Sequence, residues 1–181
     1  MINIVILCGS PSEKSTTNIV LQYLQDSLEN EGHQITHFSV LDFSPADLAY
    51  GHYNSPKVRE SSNIIENADG IIIGSPVYKA SYTGVLKAFL DLLPEGVFKD
   101  KPVLPIMVGG SPAHLLAIDF ALKPLISTLK GKPCQGIYIL NSHVDKTDQR
   151  KPVTDLDTIN RLHYQLHSFL QDIRLGKQWT F

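Results

Sequence analysis

Apolar positions fall into two alternating patterns along the chain: short runs with no polar alternation, and longer stripes with a helical period. Ile4-Val5-Ile6-Leu7-Cys8, Ile71-Ile72-Ile73, Pro102 to Val108 and Gly136 to Leu140 are of the first kind, and each stops at Gly or Asn. Such runs suit strands buried on both faces, and a parallel sheet is their natural host. Gln34 to Val40 reads as one more strand, followed by a Pro- and Tyr-containing loop from Phe43 to Ser55. The stripes lie between the runs. Ile19, Val20, Tyr23, Leu24 and Leu28 share a face that Gly32 ends, and Asn54-Ser55-Pro56 opens a short helix through Val58, Ile64 and Ile65. Val85, Leu86, Phe89, Leu90 and Leu93 form a stripe that halts at Pro94. Ala113 to Leu129 reads as a helix with Pro124 well inside it. After Thr154-Asp155, the residues Leu156, Ile159, Leu162, Leu166, Phe169, Leu170 and Ile173 make a long stripe that covers the sheet. With no internal repeat or linker, this alternation predicts one α/β domain with helices on both faces of a parallel sheet.

Three of the strands run straight into turns rich in Gly, Ser and Pro. In open α/β sheets ligands bind beyond the carboxyl ends of the strands, so these turns are where function is expected. The first, Gly9 to Asn18, is a strand-to-helix junction rich in small hydroxyl residues. Its unpaired N–H groups and the positive end of the helix dipole suit a phosphate dianion. It contains neither a Walker A motif nor G-x-G-x-x-G, which argues against a nucleoside triphosphate or a Rossmann dinucleotide here. The second, Gly74-Ser75-Pro76 and onward, offers a Pro, two Tyr, a Lys and free backbone amides to a planar ring. The third is Gly109-Gly110-Ser111-Pro112, where a Gly pair lets backbone approach a ligand closely. Taken singly, each is also readable as a plain turn, and Tyr78 and Tyr82 as loop packing.

Composition narrows the partners. The 181 residues carry a formal charge of −2 and 43% hydrophobic residues, enough for a full core and without the basic footprint of a nucleic-acid or anionic-membrane binder. No apolar stretch approaches the roughly 18 to 20 residues of a membrane span, and Met1-Ile2-Asn3 lacks a basic, cleavable start, so a cytoplasmic protein is expected. Cys8 and Cys134 fall in separate strand regions and read as reduced, buried thiols. His163 and His167 stand four apart without a nearby carboxylate or thiol, which favours a solvated helix face over a metal site. No G-x-S-x-G elbow supports a hydrolase.

The wording Ser75-Pro76-Val77-Tyr78-Lys79-Ala80-Ser81-Tyr82-Thr83-Gly84, followed by Leu86-Lys87 and Leu90-Asp91, resembles the NADPH-dependent FMN reductases. Within that family it is most similar to the flavin reductases that serve two-component alkanesulfonate monooxygenases. The resemblance extends from Met1 to about Arg174 and thins after Asn141. It implies a flavodoxin-like, doubly wound, five-stranded parallel sheet of order 2-1-3-4-5 over residues 1–174, with 175–181 as a tail. It further implies FMN and NADPH as cofactors. The FMN phosphate is then assigned to Ser10, Ser15, Thr17 and Asn18, and the isoalloxazine ring to Pro76, Val77, Tyr78 and Lys79. Gly109, Gly110 and Ser111 take its pyrimidine or ribityl side, with His114 just beyond. Thr16 stands where relatives often carry an Arg, and Lys14 is the nearest cation.

The implied reaction is hydride transfer from NADPH to FMN, which needs no acid, base, nucleophile or metal from the protein. The implied partners are a flavin-dependent monooxygenase and further copies of the chain, as a homodimer or homotetramer. Relatives carry an inserted Tyr, in a π-helix at the subunit interface, where this chain has Phe120, so a wide turn is expected near Asp119 to Lys123. Two other classes stay open at this level: a quinone, azo-dye or metal-ion reductase with fixed FMN, and a non-enzymatic flavodoxin-like carrier. His114 reads equally as a helix cap or a cofactor contact, and Trp179-Thr180-Phe181 as a docking tail or a disordered end.

Overall fold

The structure, a computed structural model, describes residues 1–178. Trp179, Thr180 and Phe181 lie outside the described residues. Strands β1 (Asn3–Cys8), β2 (Gln34–Ser39), β3 (Gly70–Pro76) and β4 (Pro102–Gly109) form the body of a parallel sheet. β5 (Lys132–Pro133) and β6 (Ile137–Leu140) both pair with β4, giving the order β2-β1-β3-β4-β5 with β6 beside β4.

The order is the expected one, but the fifth position holds two short strands where one was expected. Pro105 supplies the reason. Val103 accepts a hydrogen bond from the Cys134 N–H at 2.8 Å, so residues of that parity in β4 turn their polar groups toward this edge. Two residues on, Pro105 has no N–H to offer, and the ladder lapses between β5 and β6. The chain bends around the proline through Gly136, whose φ is +80° and whose missing Cβ would lie 2.6 Å from the Pro105 carbonyl oxygen.

Side chains of alternate parity feed two separate cores. Ile4, Ile6, Ile72, Leu104, Ile106 and Ile139 meet helix α1 (Thr16–Asn30) and helix α6 (Leu156–Gln178). Val5, Leu7, Ile71, Ile73, Val103 and Met107 meet α3 (Pro56–Glu66), α4 (Gly84–Leu90) and the segment that ends in α5 (Lys123–Thr128). Burial on both faces is why the strand runs show no polar alternation. At about 25 cal/mol per Å² of apolar area, each fully buried Leu or Ile contributes about 1.5 to 3 kcal/mol.

Local signals set the helix ends. α1 closes in a Schellman motif, with Gly32 at φ +83°, the Gly32 N–H on Glu29 and the His33 N–H on Leu28. The region read as a loop contains helix α2 (Pro45–Tyr50), capped by the Ser44 hydroxyl and closed by left-handed Gly51. α4 ends at Leu90 instead of running to Leu93, yet Leu92 and Leu93 stay buried in the turn that follows. Leu156 is 70% exposed and does not join the α6 stripe, whose apolar face begins with the half-buried Ile159. α6 continues past Arg174 to Gln178. Cys8 is buried; Cys134 is half-buried, and both are free thiols.

The helix expected over 113–129 is instead three pieces. A 3-10 turn covers Pro112–His114, a π-turn covers Ile118–Leu122, and α5 follows. The Lys123 N–H reaches back five residues to Ile118, and this widened turn delivers Pro124 into the first turn of α5, where its missing N–H does no harm.

Gly136→Ala tests the account of the split edge. A Cβ at positive φ and in contact with the Pro105 carbonyl should destabilise the fold by about 2 kcal/mol or more, read as a lower urea midpoint with an unchanged m-value.

Candidate functional site

The carboxyl ends of β1, β3 and β4 are neighbours, so the three Gly/Ser/Pro turns share one edge of the sheet. They are also bonded to one another. The Gly9 N–H donates to the Gly74 carbonyl at 2.7 Å, the Val77 N–H to the Val108 carbonyl at 2.9 Å, and the Thr83 hydroxyl to the Gly9 carbonyl at 2.6 Å.

In the first turn, Ser15 is the N-cap of α1, and its Oγ accepts from the Asn18 N–H at 3.1 Å. That engages the oxygen and leaves the hydroxyl proton to donate elsewhere. Asn18 is partly spoken for as well, since its side-chain amide donates to the Glu13 carbonyl at 2.9 Å. The Ser10 hydroxyl bonds within its own turn, accepting from the Ser12 N–H and donating to the Ser12 carbonyl at 3.2 and 3.3 Å. Thr17 is different. It is 1% exposed and its Oγ1 has no hydrogen-bond partner in the protein. A buried hydroxyl left unpaired costs about 1 to 3 kcal/mol, so its presence at a helix N-terminus marks a place for an acceptor such as a phosphate oxygen. The N–H groups of Thr16 and Thr17 belong to the first turn of α1, where the helix itself supplies no acceptor. This donor set fits a phosphate.

The second turn is a small hairpin. Tyr78 and Ser81 exchange backbone hydrogen bonds of 2.8 and 3.1 Å around Lys79 and Ala80, both with positive φ (51° and 63°). Consecutive positive φ values characterise a type I′ turn, which normally selects Asn and Gly. Two non-glycine residues here store of order 1 kcal/mol or more each. The turn holds Tyr78 (51% exposed), Lys79 and Ala80 in solvent, while Pro76 and Val77 are half-buried beneath them.

In the third turn the two glycines do different work. A Cβ on Gly109 would fall 1.9 Å from Tyr138 Oη, whose proton is donated to the Ser111 carbonyl at 2.6 Å. Gly109 therefore makes room for Tyr138. Burial raises the phenol's pKa, which keeps the donating proton in place. A Cβ on Gly110 would find only the Asn141 side-chain nitrogen at 3.9 Å, which leaves open space for a ligand. The Ser111 Oγ caps the 3-10 turn by accepting from the Ala113 N–H at 3.2 Å, and His114 ends that turn exposed. Beyond it a cleft of about 500 Å³ opens between Pro112, Leu115, Tyr138, His143 and Arg161.

Of the predicted site residues, Ser10, Ser15, Thr17 and Asn18 thus share the first turn, Pro76, Val77, Tyr78 and Lys79 the second, and Gly109, Gly110 and Ser111 the third. Ser75, Thr83 and Tyr138 are the polar residues that hold the turns, and they were not singled out as site residues. Thr83-Gly84 before an apolar stripe is an N-cap signal, and Tyr138 inside the run Ile137-Tyr138-Ile139 brings a polar group into a buried strand. His163 hydrogen-bonds Tyr23 Oη at 3.0 Å. Gly109→Ala should overpack the third turn and destabilise by about 1 to 3 kcal/mol in urea denaturation. Adding Tyr138→Phe, which removes the nearest atom, should restore part of that loss.

Residues 2–145 match the family model described as NADPH-dependent FMN reductase. An FMN reductase (NADPH) of Pseudomonas putida is 41% identical over 92% of this chain and 85% of its own length. An FMN reductase (NADPH) of Escherichia coli is 39% identical over 93% of this chain and 88% of its own. The crystal structure of an NADH:FMN oxidoreductase in its apo form superposes with a TM-score of 0.81 at 35% identity, covering 93% of this chain and 88% of that one. The chain, flavodoxin-like in fold, belongs to the NADPH-dependent FMN reductase family.

Proposed function

We propose that this protein is an FMN reductase that oxidises NADPH, with the flavin held across the three turns. The observation that carries the reading is the unpaired Thr17 hydroxyl at the start of α1, within a turn tied directly to the ring-sized loop that follows β3. The bound flavin supplies the hydride acceptor, and the pyridine nucleotide supplies the hydride. The protein's part is binding and orientation. Thr17, the Ser15 hydroxyl proton and the first-turn N–H groups of α1 hold the phosphate, aided by the positive end of the helix. Pro76 and Val77 give the ring a half-buried floor, and Tyr78 and Lys79 an exposed wall. Lys79, exposed at the hairpin tip, also offers a cation to the nucleotide phosphate.

NADPH is preferred on the names of the relatives at 39 and 41% identity, although the structural neighbour at 35% is named for NADH. Two free thiols agree with a reducing compartment, and the cytoplasm is the proposed location. Reduced flavin would pass to a flavin-dependent monooxygenase, as the alkanesulfonate-type resemblance implies. A homodimer or homotetramer is supported by Leu115, Leu116 and Phe120, three exposed apolar residues on or beside the π-turn; Phe120 is 79% exposed.

Purified protein supplied with FMN should consume NADPH faster than NADH at equal concentration, with chelator making no difference; absorbance at the nicotinamide band checks this. Thr17→Val, which keeps the shape but loses the hydroxyl, should weaken FMN binding by about 1.5 to 3 kcal/mol and leave riboflavin nearly unaffected. Equal weakening of the two flavins would move the phosphate elsewhere. Phe120→Ala should lower the oligomeric state in sedimentation without lowering the melting temperature of the monomer.

A further inference from the structure

Thr83 is where the first and second turns meet. Its side chain is 1% exposed, and its one hydroxyl serves two elements at once. Oγ1 accepts from the Leu86 N–H at 3.1 Å, capping α4, and donates its proton to the Gly9 carbonyl at 2.6 Å. The Thr83 N–H in turn donates to Ser75 Oγ at 3.1 Å, and fully buried Ser75 passes its own proton to the Pro76 carbonyl at 2.9 Å. A helix cap needs only an acceptor, which Asp or Asn would supply equally well. The donor is spent 74 residues away along the chain, on the turn that begins the phosphate site.

That donor decides the direction of a peptide. Gly9 is held at its N–H by the Gly74 carbonyl at 2.7 Å and at its C=O by Thr83. Because the peptide unit is planar and trans, fixing the Gly9 C=O also fixes the direction of the Ser10 N–H on the opposite side. Ser10, 1% exposed, can then start the turn in only one orientation. Leu86, one turn into α4, presses on the same spot: a Cβ on Gly9 would come within 2.8 Å of it. The start of the phosphate turn is therefore built against the first turn of α4, and Thr83 is the polar contact in that seam.

We propose that Thr83 is a positioning residue for the flavin: its hydroxyl sets the phosphate turn at a fixed spacing from the ring loop, so that the two ends of the flavin bind cooperatively. This rests on the assignment of the phosphate to the first turn and the ring to the second. Without the Thr83 donor the Gly9–Ser10 peptide is free to rotate, the phosphate donors lose their alignment with the ring loop, and the phosphate stops adding to affinity. Riboflavin, which engages only the ring loop, is much less affected.

The test is the affinity of flavin-free protein for FMN and for riboflavin, by quenching of flavin fluorescence, in the wild type and in Thr83→Ser, Thr83→Val and Thr83→Asp, each with its melting temperature. Thr83→Ser keeps donor and acceptor and should stay within about twofold of the wild type for both flavins. Thr83→Val loses both, and FMN affinity should fall about tenfold or more while riboflavin affinity falls less than about threefold. Thr83→Asp keeps the cap acceptor and, once ionised, has no proton to give, so at a pH well above its burial-raised pKa it should lose the preference for FMN. Should Thr83→Val fail to fold, Thr83→Asp decides alone. A residue that merely capped α4 would lower the melting temperature and leave the FMN-to-riboflavin ratio intact, and that ratio unchanged in either folded variant overturns the proposal. A wild type that binds both flavins equally would instead overturn the phosphate assignment beneath it.

Discussion

A parallel sheet covered on both faces leaves a chain few places for polar chemistry, and this constraint organises the molecule. Every strand from β1 to β4 has its carboxyl end on the same edge, because each crossover returns the chain to the opposite one. Both faces are filled by Ile, Leu, Val and Phe, so hydroxyls, free amides and strained backbone collect along the edge where strands give way to helices. The turns after β1, β3 and β4 are consequences of the sheet before they are a site.

What distinguishes this edge is how its turns are joined. Helix caps here serve two purposes: Ser15 caps α1 and retains a proton, Thr83 caps α4 and holds Gly9, and Ser111 caps its 3-10 turn while its carbonyl receives Tyr138. A hydroxyl that accepts for a helix still has a proton to donate, and a carboxylate does not. That difference favours Ser and Thr over Asp at these caps if, as proposed, the first turn presents donors to a phosphate.

Much of this was legible from the chain alone. Buried strands announce themselves as apolar runs, and their alternation with helical stripes gives the layered α/β class, while the sheet order came from the family resemblance. The α2 signals were present too, in Ser44, Pro45 and Gly51, but the helix buries none of its residues, so no apolar stripe accompanied them. Leu156 and the divided fifth position were misread for one reason: exposure and register depend on what lies across the contact. Nothing in the run Gly136 to Leu140 says that its neighbour offers a proline where an N–H was needed. Likewise only the fold reveals that Gly109 also makes room for Tyr138, which stands above it. The wide turn before Pro124 was read correctly, since a proline inside a helical pattern must be absorbed locally whatever surrounds it.

The burial of the site is graded along its length, and this bears on how a flavin would use it. Ser10, Thr17, Ser75 and Thr83 are almost entirely buried, so this end of the edge is assembled by the fold itself. At the other end Tyr78, Lys79, Ala80, His114 and Phe120 are exposed, and the hairpin that carries the first three is held in positive φ by the Tyr78 and Ser81 bonds. A strained turn kept in solvent contributes nothing to the core, so its cost is consistent with a surface that something else covers. On the proposed assignment, the buried first turn is what separates FMN from riboflavin within a single chain. On the same assignment, the exposed hairpin of Tyr78, Lys79 and Ala80 is the part of the edge that leaves room for a nicotinamide to stack and for a reduced flavin to depart.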